Sequence, residues 1–188
     1  MTKPIPTTRP KRLYTIGLVA ILAGGGIVAG SIWWPRNHPK PMPYMLDYDR
    51  LIHLDAEDLA ETGIAEAYQA LQPELRKYVP DPAKVEESTD DDAPRYSVAC
   101  RGREFLIYGP ADEEESWGRA TFAFFTLVND QLAHSEYRLY AINGGNDLGG
   151  MFLTKAQAQA AREGLPNKGD WPYLPRQPAS VLRPASLR

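Results

Sequence analysis

Between Leu13 and Trp34 the chain reads LYTIGLVAILAGGGIVAGSIWW, 22 residues without a charged side chain. At about 1.5 Å of rise per residue, a helix of that length crosses a hydrocarbon layer of roughly 30 Å. Arg9, Lys11 and Arg12 crowd its N-terminal end, with Lys3 behind them, while only Arg36 and Lys40 stand close to the other end. The positive-inside bias therefore places residues 1–12 in the cytoplasm and everything beyond the span on the outer side. Trp33 and Trp34 fall at the outer interface and Tyr14 at the inner one, as an aromatic belt would.

A cleaved signal peptide is the competing reading, because Val28, Ala29 and Gly30 put small residues before Ser31. The apolar stretch exceeds the usual length of about 7–15 residues for a signal h-region, which favours a retained anchor. Within it, Gly26 and Gly30, like Ala20 and Gly24, are small-residue pairs that permit close helix approach, so a homodimer through Gly26 and Gly30 is an expectation to test.

The 188 residues hold a single cysteine, Cys100, which excludes an intramolecular disulfide and a thiolate zinc cluster. None of Asn37, Asn129, Asn143, Asn146 or Asn167 is followed by x-Ser/Thr, so no N-glycosylation acceptor follows the span. Both features suit a bacterial periplasm and an inner-membrane anchor. Residues 1–40 carry 6 Lys+Arg and no acid, leaving 15 basic against 24 acidic groups in residues 41–188, a balance of −9. A surface of that sign argues against nucleic acid, whose phosphates need the opposite charge, and for a basic protein partner.

Residues 35–45 carry four prolines and read as a stiff stalk; residues 46–175 form the domain, and 176–188 are basic, aperiodic and read as a disordered tail. In the domain, Asp55 is placed to cap a helix whose stripe is Leu59, Ile64, Ala67, Tyr68, Leu71, Leu75 and Tyr78, broken or bent at Gly63 and Pro73. The acid- and proline-rich run to Pro94, with Asp90, Asp91 and Asp92, reads as a surface connection. Then RYSVAC-RG-REFLIYG predicts a hairpin turning at Arg101-Gly102, pairing Cys100 with Arg103, Val98 with Phe105 and Tyr96 with Ile107, and turning Cys100 into the core; Arg-Gly is not the preferred turn pair, so a slipped register or a longer loop is the alternative.

A second helix is expected from a capping pattern at Asp112 and Glu115, with Trp117, Thr121, Phe124, Val128 and Leu132 on its apolar stripe. Phe122 and Phe125 widen that face, and Phe122 is retained as a partner contact. EYRLYAI and GGMFLT give a second strand pair, and Thr154 caps a short helix ended by Gly164 and Pro166. The order α-ββ-α-ββ-α implies an α+β domain with a mostly antiparallel four-stranded sheet and about three helices.

Chemistry-bearing patterns are sparse. His38, His53 and His134 have no metal-ligand spacing, and no phosphate loop or nucleophile elbow is present, so neither catalytic residues nor cofactor nor metal are assigned. His134 with Asp130 reads as a helix-end interaction. The most distinctive motif is the loop Asn143, Gly144, Gly145, Asn146 and Asp147, extended by Gly149 and Gly150, whose glycines allow positive φ and close approach of a partner. Trp171 and Tyr173, in the strap from Asp170 to Pro175, are the second candidate contact, and Asp90–Asp92 the third.

A single anchor, a stalk, a small acidic α+β domain and no catalytic set resemble the immunity proteins that bacteria keep in the envelope against type VI or similar secreted effectors. The resemblance is one of layout and transfers no residue role. It implies a membrane-held binding module; an accessory subunit of an envelope assembly shares the layout, and a peptidoglycan-modifying hydrolase using Asp147 or His134 is the enzymatic alternative.

Overall fold

The computed structural model describes residues 45–90, 92, 94–109 and 115–178. The expected span with Gly26 and Gly30, its basic flank, the stalk up to 44, Asp91, Asp112 and the tail beyond 178 lie outside the described residues. Among the described residues no helix is long and apolar enough to cross a membrane.

In chain order the elements are β1 (Ile52–His53), α1 (Ala56–Asp58), α2 (Ile64–Leu75), β2 (Val85–Asp90), β3 (Arg95–Cys100), β4 (Arg103–Tyr108), α3 (Ser116–Gln131), β5 (Tyr137–Ile142), β6 (Gly149–Thr154) and α4 (Lys155–Gly164). The α+β class holds, but the expected single four-stranded sheet does not. Two three-stranded antiparallel sheets form instead, ordered β1-β6-β5 and β2-β3-β4. Each expected hairpin acquires a third strand from a segment without a strand pattern. VEESTD, read as a loop, pairs along β3 from Val85 with Cys100 to Asp90 with Arg95. Its exposed acids blunt the sheet edge they occupy.

The predicted hairpin forms with its turn at Arg101 (φ 52°) and Gly102 (φ 77°), the doubly left-handed geometry that matches strand twist. Cys100 pairs with Arg103 and Val98 with Phe105 as expected, but a bulge moves Tyr96 from Ile107 to Tyr108. The irregularity leaves both Tyr96 and Ile107 buried, so the extra residue costs no core contact.

Sheet β1-β6-β5 is buried on both faces. Leu139, Ala141 and Phe152 join the main core with α2, α3 and the other sheet. Tyr140, Ile142, Met151 and Leu153 pack instead under Ala158 and Ala161 of α4, together with Leu46. Two-sided burial explains why LYAI and MFL run apolar without alternation. Gly149 and Gly150 serve that packing rather than a partner: a Cβ would lie 2.6 Å from Leu51 Cδ1 and 3.1 Å from Leu139 Cδ1 respectively.

Helix α3 begins at Ser116, with Glu115 making no side-chain cap bond. Its buried face is Ala120, Ala123, Phe124, Leu127, Val128 and Gln131, so Trp117, expected on the stripe, is 43% exposed in the first turn. The alanines let the helix approach the sheets closely, which sets the face; a hydropathy pattern that rewards bulk selects tryptophan instead. Arg138 donates to the carbonyls of Leu132 and Ser135 at 2.7 Å, a cation at the helix's negative end. Asp130, expected beside His134, instead meets Arg103 at 2.9 Å. Helix α4 has the full capping box, Thr154 Oγ1 accepting from Gln157 N at 3.2 Å and Gln157 Oε1 from Thr154 N at 2.9 Å.

Cys100 is 7% exposed, and burial pushes its thiol above the ordinary 9.0. The reactive thiolate is thus suppressed at neutral pH by both access and ionisation. Labelling of the native protein by a maleimide at pH 7.5 is expected to be at least about a hundredfold slower than in urea, since it waits on opening. Equal rates with and without urea would refute the core placement.

Candidate functional site

The broken first helix builds one wall of the site. Asp55 Oδ1 accepts from Glu57 N at 2.8 Å and starts α1. The chain then leaves helical geometry at Glu61 and Thr62, where Thr62 takes φ 74°, and resumes as α2 after Gly63. A threonine in the left-handed region is strained, because its branched Cβ crowds the backbone. A Cβ at Gly63 would stand 2.4 Å from the carbonyl oxygen of Asp58, so the break requires glycine there, as the sequence suggested. Pro73 sits inside α2 without ending it.

Helix α2 has no cap of its own at Gly63. Glu87 of β2 fills the role from another element, its Oε1 accepting from Ala65 N at 2.9 Å and from Tyr96 Oη. Burial, reinforced by that carboxylate, holds the Tyr96 phenol far above its ordinary range, so it remains a donor. A carboxylate at a helix N-terminus satisfies orphan amides and the dipole together.

The opposite wall is the Asn143–Asp147 loop. Asn143 (φ 58°) and Gly145 (φ 62°) need left-handed backbone, whereas Gly144, at φ −171°, is extended. Tyr173 fixes the loop: its Oη donates to Asn143 O at 2.7 Å, and its backbone pairs with Ala141 at 2.8 and 2.9 Å. Burial raises the Tyr173 phenol, which keeps that donor protonated. Asn146 Nδ2 reaches Glu57 Oε2 at 3.4 Å across to α1.

Between these walls lies a cleft of about 940 Å³, floored by β1. Asp55, Asp58, Glu61, Glu66 and Asp147 line it with His53, Asn143 and Asn146, and among the described residues no lysine or arginine lines it. Leu51, Ile52, Leu54 and Leu59 supply apolar surface. Five carboxylates lining one concavity, with no cation among its described lining residues, make it negative, which raises the local concentration of positive groups. Among the described residues no group of three or more His, Cys, Asp or Glu has metal-binding geometry.

The structure thus brings Asn143, Asn146 and Asp147 into one site and holds Gly144, Gly145 and Tyr173 directly behind them. Asp90 lies beyond the lip, in a shallower depression shared with Glu61 and Thr62 and flanked by Arg95; Asp92 is exposed next to it, its amide 3.0 Å from Asp90 Oδ1. Phe122 does not belong to the cleft: it packs edge-to-face on Phe105, centroids 6.1 Å apart. Trp171 is turned inward, Nε1 donating to Leu165 O at 3.1 Å under Lys168. His134 is exposed in the turn after α3 and does not line the cleft with Asp147. Sequence reasoning missed Asp55, Asp58, Glu61 and Glu66 as site residues, giving Asp55 the role of a helix cap with Asp58 in its first turn and no role to Glu61 or Glu66; the surplus of carboxylates around a glycine break was the available signal.

No protein-family model, curated protein or solved structure matches this chain.

Proposed function

We propose that the protein is a membrane-anchored periplasmic binding module that captures a basic protein partner in the acidic cleft, and that it serves as an immunity protein against a secreted, type VI-like effector. The cleft carries this reading: the glycine-rich loop and the acids of the broken helix, about eighty residues apart in sequence, form a single concavity with no lining cation among the described residues. The basic flank and apolar run at 13–34 support the location. Charge complementarity of this kind acts chiefly on encounter, steering a cationic partner toward the cleft.

The test pairs genetics with binding. Cells lacking the gene are expected to be killed by effector-delivering neighbours, and the effector to co-purify with the full-length protein. Neutralising Asp58→Asn, Glu61→Gln and Asp147→Asn together should lower affinity about tenfold at low salt and far less at high salt, as screened pairs do. Survival of the deletion strain alongside recovery of an envelope-assembly component would replace immunity with the accessory-subunit role, and affinity untouched by the triple variant would remove the cleft from the interface.

A further inference from the structure

The two edges of sheet β1-β6-β5 are finished in opposite ways. On β5, the outward-facing groups are all occupied. Tyr137 N donates to Ser135 Oγ at 3.1 Å, and Tyr137 O accepts from Arg138 at 2.6 Å. Asn129 of α3 clasps Leu139 with its amide side chain, accepting from Leu139 N at 2.8 Å and donating to Leu139 O at 2.9 Å. Tyr173 takes both backbone groups of Ala141 and the carbonyl of Asn143. An edge closed in this manner offers nothing to another strand.

The β1 edge is open. Ile52 pairs with Gly150 and His53 with Gly149, and Leu54 N donates to Leu148 O at 2.9 Å. In an antiparallel ladder that pattern turns the backbone groups of positions 52 and 54 toward β6 and those of His53 away from it. The flanking Leu51 (ψ 127°) and Asp55 (φ −133°, ψ 127°) are extended too, but Leu51 N donates to Tyr48 O at 3.0 Å and Asp55 O accepts from Leu59 N at 3.0 Å, so the open stretch centres on His53. All five residues from Leu51 to Asp55 line the acidic cleft, and His53 is exposed. Among the described residues this edge therefore has no covering strand, and it opens into the concavity whose charge calls for a cation.

We propose that β1 is a docking strand, and that the occupant is an extended basic segment of a protein partner. Strand addition supplies backbone hydrogen bonds to His53, and successive side chains of an added strand point to opposite sides. On β1 itself Leu51 belongs to the cluster under α4 and Leu54 to the main core, so an added strand has one set of side chains beside Leu51 and Asp55 and the other beside Ile52 and Leu54, with Asp58, Glu66 and Asp147 lining the same cleft. The proposal rests on the reading of the cleft as a partner site and names the form that partner takes.

The probe is the blocked heptapeptide Lys-Val-Lys-Val-Lys-Val-Lys, titrated against the full-length protein in detergent and followed by calorimetry. Two further peptides carry backbone N-methyl groups, one on its valines and one on its inner lysines. Strand addition predicts that one methylated peptide loses at least about tenfold in affinity, its hydrogen bonds to His53 being blocked, while the other keeps most of its binding. His53→Pro should match that loss, because the amide it removes has no partner within the sheet and edge proline is tolerated. Two methylated peptides that bind alike, or His53→Pro protein that folds and binds as before, would overturn the docking strand; if His53→Pro does not fold, the peptide pair decides alone. None of these arms uses the effector, so peptide discrimination with no effector recovered from cells sinks the immunity reading and leaves the edge site standing, and the converse sinks only the edge.

Discussion

Gly63→Ala is expected to lower the unfolding free energy by about 3 kcal/mol, at the upper end of what overpacking costs. The sign is the informative part. Gly63 has φ −98° and ψ 0°, accessible to alanine, and at such a position glycine to alanine ordinarily stabilises by about 0.4–1 kcal/mol through the unfolded state. Here the new Cβ would stand 2.4 Å from the carbonyl oxygen of Asp58, and that oxygen is backbone, so relief requires moving α1 against α2. Ile64, Tyr68 and Leu59, each at most 1% exposed, resist that movement. A drop in the urea midpoint with an unchanged slope checks the stability claim. Because Glu61 and Thr62 lie just before the break and Glu66 just after it, the variant should also bind a basic partner less tightly in the fraction that folds. A gain in stability would show that the kink is not a packed constraint.

Gln131→Leu is expected to cost about 2–4 kcal/mol, the penalty for stranding buried polar groups. Gln131 is 6% exposed on α3. Its Nε2 donates to Leu127 O at 3.0 Å and to Tyr68 Oη at 3.1 Å, its Oε1 accepts from Ala83 N at 2.7 Å, and Tyr68 Oη donates to Ala83 O at 2.7 Å. One amide therefore ties α3 to α2 and to the chain entering β2. Leucine fills similar space, but leaves the Ala83 amide without its acceptor and the Tyr68 oxygen without its donor. Adding Tyr68→Phe should cost less than its effect in the wild-type background, since the two side chains share one network. Strict additivity in urea melts would contradict the network. Loss of the tie should also loosen β2, and with it Glu87, whose carboxylate caps α2 from across the fold.

Wherever a signal is complete within a few residues, the sequence was sufficient to determine the element. Thr154 caps a helix from within its own first turn, Arg101-Gly102 closes a hairpin that pairs Cys100 with Arg103 and Val98 with Phe105, and Gly63 breaks a helix that Asp55 begins. These features depend on local backbone sterics and on orphan amides finding the nearest oxygen, and neither waits for the rest of the chain. Cys100 was legible for the same reason, its burial following from hairpin parity.

Tertiary structure alone decided what joins across distance. VEESTD carries no strand pattern and becomes β2 because β3 offers it a ladder; Ile52–His53 is too short to be read at all and becomes β1 because Gly149 and Gly150 let Leu51 and Leu139 pack close. The apparent partner anchors Phe122 and Trp171 are consumed by Phe105 and by the Leu165 carbonyl, contacts that no spacing announces. The acidic cleft is of this kind as well. In the sequence Asp55 reads as a helix cap and Asp147 as part of a partner-facing loop, while Asp58, Glu61 and Glu66 point to no site; only the pairing of β1 with β6 sets the two segments face to face, because register between distant strands is fixed by the core they share.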